Sequence, residues 1–147
     1  MEVHDIRLSV SGTPAAAASA RRQFVAEIRD WGLPVDSDAL HTAELIAGEL
    51  LSNAVQYAGQ GAIALSASCD GNAVRVEVSD SSHGQPRPRW SGENDEHGRG
   101  LFLIAALADR HGVEPTAAGK RCWAELHLPA AASTHAPFQA PVPRRCL

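Results

Sequence analysis

The chain of 147 residues has little of what usually marks a protein for one class. It has three cysteines, an odd number, and Cys69, Cys122 and Cys146 show no metal-ligand spacing. Neither a disulfide framework nor a zinc site is therefore expected, and Cys69 and Cys122, on apolar positions of strand-like stretches, read as reduced core thiols. No apolar run approaches a membrane span, and the opening MEVHDIRLSV lacks the basic flank and apolar stretch of a signal peptide. A cytoplasmic protein without membrane contact is expected. The net charge of −4 leaves no basic excess for direct nucleic-acid binding. Arg87, Arg89 and Trp90 could stack on nucleic acid, but Glu93, Asp95 and Glu96 cancel their charge. The seven histidines are scattered and form no metal set. No internal repeat is visible, and the penultimate Cys146 makes no prenylation box. No G-x-x-x-x-G-K-[ST] occurs anywhere, so any nucleotide site must be of another type than the P-loop.

A hydrophobic share of 44% against 20% charged places the chain among globular domains. Its length is that of one domain able to bury a sizeable core. Ile6, Leu8 and Val10 alternate with Arg7 and Ser9, the period of a half-buried strand. Thr13 and Pro14 supply an N-cap and a first helical position, and Ala17, Phe24, Ile28 and Trp31 follow at helical spacing up to Gly32-Leu33-Pro34. Asp36, Ser37 and Asp38 open a longer helix that ends near Gly59. The period then becomes two: Ile63 to Cys69 and Val74 to Val78, joined by Asp70-Gly71-Asn72, predict a hairpin. Ser81 to His97 has two prolines, two glycines and no apolar period, and reads as a functional lid or a disordered insert. A helix from Leu101 to about Arg110 is expected, then a short strand near Val113 to Thr116 paired with RCWAELHLP. The sum is an α+β fold, a two-layer sandwich of a mostly antiparallel sheet with helices on one face. Residues 1–129 form the predicted domain, and the Ala- and Pro-rich stretch 130–147 reads as a flexible tail.

Three segments carry chemistry. In GELLSNAVQYAG, Ile46, Leu50 and Tyr57 share one helix face; Asn53 falls among them, with Glu49 on its shoulder one turn earlier. Side chains at i and i+4 can converge on one ligand, and an amide oxygen near a carboxylate suits a hard cation such as Mg²⁺ beside phosphate oxygens. Taken alone, the pair reads more simply as a solvated Glu49 and an Asn53 bonded to a backbone carbonyl. Asp80 ends the alternating stretch VRVEVSD. A carboxylate there accepts from a ligand amino group, such as that of adenine, and rejects a carbonyl, though it could also simply initiate a turn. Gly98 and Gly100 stand directly before the expected helix, where free amides and the helix dipole attract phosphate. Arg99 between them could supply charge to a transferred phosphate or cap the lid.

The order E-x-x-x-N-A, V-x-V-S-D, loose lid and G-x-G-L-x-L-I resembles the GHKL ATPase superfamily, within it the bacterial anti-sigma-factor serine/threonine kinases and their regulatory relatives. The resemblance runs from about Ile6 to Pro129. It implies the histidine-kinase-like ATPase fold, with ATP and Mg as cofactors. It implies that Asn53 is the magnesium ligand, Glu49 the general base, Asp80 the adenine reader, and Gly98 and Gly100 the phosphate-side glycines; Arg99 and Leu101 beside them are the remaining cofactor-binding candidates. The family's D-x-G-x-G reads here Asp80-Ser81-Ser82-His83-Gly84, which puts Ser82 and Gly84 at the glycine positions. Gln56 stands where a basic residue is common, and the late threonine of the adenine pocket falls on Arg121. The implied partners are a sigma factor and a STAS-type antagonist phosphorylated on Ser or Thr, with a homodimer possible. The other reading of the same fold is a regulatory module that acts by protein contact, with or without nucleotide.

Overall fold

The computed structural model describes residues 4–32, 37–58, 61–70, 72–82 and 103–128. Strand β1 (His4–Val10) leads into helix α1 (Pro14–Asp30). Thr13 Oγ1 accepts the Ala16 N–H at 3.1 Å, the expected N-cap with proline at the first helical position. Helix α2 (Ser37–Ala58) follows, then the hairpin of β2 (Ile63–Cys69) and β3 (Ala73–Asp80). Asp70 closes that hairpin through its Oδ1, which accepts the N–H groups of Asn72 at 2.9 Å and Ala73 at 3.1 Å. A helical turn at 103–107, β4 (Arg110–Pro115) and β5 (Lys120–His127) complete the described chain.

The five strands form one sheet in the order β1-β2-β3-β5-β4, every described pair antiparallel. Period-two alternation places Ile63, Leu65, Ala67 and Cys69 of β2, Val74, Val76 and Val78 of β3, and Cys122, Ala124 and Leu126 of β5 on one buried face. Helix α2 packs on β2, β3 and β5, and α1 packs on α2 and β1. Phe24 of α1 and Ile46 and Leu51 of α2 are buried in the layer between. This is the two-layer α+β sandwich expected from the sequence.

The other sheet face is polar. Arg75 donates to Glu77 at 2.7 Å and Glu125 at 2.8 Å, and its guanidinium lies 4.2 Å from the centroid of the Trp123 ring. Burial alone would lower the Arg75 pKa, but these carboxylates outweigh it and raise it.

One boundary differs from expectation. The third helical segment stops at 107, not near Arg110, and β4 begins at Arg110. Pairing with β5 wins there: Asp109 N–H donates to the Glu125 carbonyl at 2.8 Å, and Asp109 Oδ2 accepts the His127 N–H at 2.6 Å. Gly112 therefore belongs to the sheet. It lies inside β4 against Trp123, whose Cζ2 would be 2.9 Å from a Cβ at that position.

Candidate functional site

On α2 the buried arc runs through Ala43, Ile46, Ala47, Leu50, Leu51 and Ala54, with Asn53 at its edge. Asn53 is only 4% exposed, and among the described residues neither its Oδ1 nor its Nδ2 has a hydrogen-bond partner. A buried amide without partners is costly and rare, so its persistence calls for an explanation. The structure removes the simpler reading of Asn53, since no described backbone carbonyl receives it. Glu49, one turn earlier, is partly exposed beside it. The Tyr57 side chain lies outside the described residues.

Asp80 ends β3 in phase with Val74, Val76 and Val78, and its side chain is 1% exposed. Opposite it in the β3–β5 register stands Lys120, buried in phase with Cys122 and Ala124. Lys120 Nζ lies 3.2 Å from Asp80 Oδ2 and 3.3 Å from Oδ1, and donates to Ser82 Oγ at 2.7 Å. The Ser82 N–H donates to Asp80 Oδ1 at 2.8 Å, closing a local network of three residues. Two buried charges are tolerable here because each is paired and hydrogen-bonded.

Lys120 was not among the site residues read from the sequence, and it stands where the resemblance put Arg121, the counterpart of the family's late threonine. The position facing Asp80 is Lys120, not Arg121. Arg121 points to the opposite sheet face, where it pairs with Glu77 at 3.4 Å and Glu114 at 3.1 Å. The sign that could have found Lys120 was parity: a lysine two residues before Cys122 on an apolar alternation is a charge aimed into the core. Gly119 was also missed. A Cβ there would sit 2.1 Å from the Asp80 carbonyl oxygen and 2.6 Å from Ser81 Cα, so β5 approaches the end of β3 this closely only with glycine. Next along β5, burial pushes the Cys122 thiol up to about 11. Like Cys69 it is a buried cysteine on a core position of its strand, as expected.

Gly84, Gly98, Arg99, Gly100 and Leu101 lie outside the described residues, as do the lid from His83 onward and the tail. Among the described residues no group of His, Cys, Asp and Glu could hold a metal by itself. Any cation at Asn53 would complete its shell with water and oxygen atoms of a ligand. An open groove of ≈ 530 Å³ between α1 and α2, lined by residues such as Ala17, Arg21, Gly48 and Gln56, contains none of the predicted site residues. It lies on a different side of α2 from Asn53. No described helix is long and apolar enough to cross a membrane.

The helix edge bearing Glu49 and Asn53 and the strand end bearing Asp80 thus come from two elements in direct contact, α2 and β3. Comparison with curated proteins gives no match. A family model described as the histidine kinase-like ATPase domain matches residues 10–125, from the end of β1 into β5. The described fold and the span of that match together place the chain in the family of histidine kinase-like ATPase domains.

Proposed function

We propose that the protein is an ATP- and Mg²⁺-binding cytoplasmic regulator of the anti-sigma-factor type. It sequesters a sigma factor and phosphorylates a serine or threonine of a STAS-type antagonist. The observation that carries the nucleotide part is Asn53, a buried amide whose oxygen and nitrogen have no described partner, on the helix that also bears Glu49. Such an amide fits an oxygen-seeking cation and a phosphate better than it fits a core. Asn53 Oδ1 would ligate the cation, and Mg²⁺, when bound, neutralises charge on the phosphate oxygens.

In the transfer step the hydroxyl oxygen of the acceptor attacks the γ-phosphorus. A new O–P bond forms, the bond to the bridging β–γ oxygen breaks, ADP leaves, and the hydroxyl proton passes to the Glu49 carboxylate. The family match and the partly exposed position of Glu49 beside Asn53 support this role. Sigma factor, antagonist and a possible homodimer rest on the resemblance of the motif order to anti-sigma kinases.

The Asp80–Lys120 pair favours a second reading, a binding module of the same fold acting by protein contact, because the Asp80 carboxylate assigned to adenine is already engaged by Lys120. One experiment separates the two: Mg·ATP affinity beside phosphate transfer to antagonist proteins from the same genome, for wild type and Glu49→Gln. The kinase reading expects affinity to survive in Glu49→Gln while turnover falls roughly 10²-fold or more. Binding without any transfer by the wild type selects the module, and a fully active Glu49→Gln removes Glu49 as the base.

A further inference from the structure

The reading of Asp80 as an adenine selector assumes a carboxylate alone: it accepts from an amino group and repels a carbonyl, because two acceptors cannot hydrogen-bond. The structure does not present Asp80 alone. Lys120 Nζ is 3.2 Å from its Oδ2 and 3.3 Å from its Oδ1, and Ser82 adds a backbone N–H to Oδ1 at 2.8 Å. An ammonium carries only donors. The corner therefore offers an acceptor and a donor side by side, and a base bearing a carbonyl at the selecting position meets Lys120 where it would otherwise meet only negative charge. The same ammonium shares the charge of the carboxylate and makes it a poorer acceptor for an amino group.

Position 120 is closely held. Its register partner across β3 and β5 is Asp80 itself, Gly119 leaves no room for the strand end to shift, and the Lys120 side chain is 5% exposed. The ammonium is thus a fixed part of the corner, unlike a surface charge that solvent could swing away.

We infer that Lys120 is a specificity-determining residue which makes this corner tolerant of 6-oxo as well as 6-amino purine nucleotides. The inference rests on the nucleotide reading of the site. Lys120→Thr introduces a hydroxyl that can donate to Asp80 but removes the cation, so the carboxylate regains its preference for an amino group.

The test is calorimetry with Mg·ATP and Mg·ITP, which differ in the base only at the 6-position and its neighbouring ring proton. The ratio Kd(ITP)/Kd(ATP) is expected to lie below about ten in the wild type and to rise at least about tenfold in Lys120→Thr. Because a ratio is compared, a uniform loss of folded protein in the variant cancels, and the wild-type ratio needs no variant at all. Lys120→Arg, which retains a buried cation and donors, should keep the low ratio. A wild-type ratio above about ten, or one that Lys120→Thr leaves unchanged, overturns the inference while sparing the nucleotide reading. If the wild type binds neither nucleotide in the presence of Mg²⁺, the nucleotide reading itself falls and the inference with it.

Discussion

Asn53 and Lys120 are both polar residues at the edge of a core, resolved in opposite ways. Lys120 is paired within the protein with Asp80 and Ser82, whereas Asn53 has no described partner for either polar atom. An unpaired buried amide costs roughly 1–3 kcal/mol, so Asn53 lowers stability unless a ligand uses it. Asn53→Leu, with the same branching of heavy atoms but apolar, is therefore expected to raise the stability of the nucleotide-free protein by about 1 kcal/mol and to abolish Mg-dependent nucleotide binding. Thermal unfolding and calorimetry on the same preparations read both effects. A destabilised Asn53→Leu that still binds Mg·ATP would show that the amide serves the fold.

At the scale of elements, the site depends on how closely β5 approaches the end of β3. The turn before β5 is held by Thr116, whose Oγ1 accepts the Gly119 N–H at 2.9 Å and whose N–H donates to the Gly119 carbonyl at 2.9 Å. That turn delivers Lys120 opposite Asp80. Gly119→Ala would put a methyl group 2.1 Å from the Asp80 carbonyl oxygen, an obstacle of backbone that no rotamer relieves. We expect a loss of at least about 2 kcal/mol in urea unfolding, together with weakened nucleotide binding as the strand end is displaced. Unchanged stability would mean that β3 and β5 are less closely apposed there. The early end of the third helical segment belongs to the same scale, because β4 needs Arg110 to Pro115 to pair with β5.

Over the whole molecule, a single apolar layer joins both helices to the sheet, from Phe24 and Ile28 of α1 through Leu50 and Leu51 of α2 to Val76 and Ala124. A shared core predicts one cooperative transition. Trp31 stacks on His4 at the end of α1, whereas Trp123 lies on the polar face of the sheet beneath Arg75. Tryptophan fluorescence therefore samples both sides, and its unfolding midpoint should coincide with that of far-ultraviolet circular dichroism. Phe24 is 0% exposed, and Phe24→Ala should lower stability by about 3–5 kcal/mol and move both midpoints together. Midpoints that separate in the variant would show that the helices and the sheet do not share one core.

What depends on neighbours along the chain was already determined by the sequence. The N-cap at Thr13, the hairpin turn at Asp70, the alternation from Ile63 to Val78 and the helical spacing around Leu50 are contests among residues a few positions apart, and their period shows the winner. The position of Asn53 at the edge of the α2 stripe was legible in the same way. Its lack of a partner was not, because that depends on everything packed against α2. Nor could local pattern join Asp80 to Lys120, 40 positions later, or turn Arg121 to the opposite face. The register of β3 on β5 decided both, since one step along a strand exchanges the core face for the open one. Tertiary pairing likewise ended the helical segment at 107, because backbone bonds from Asp109 onward to β5 outweighed the local preference for another helical turn.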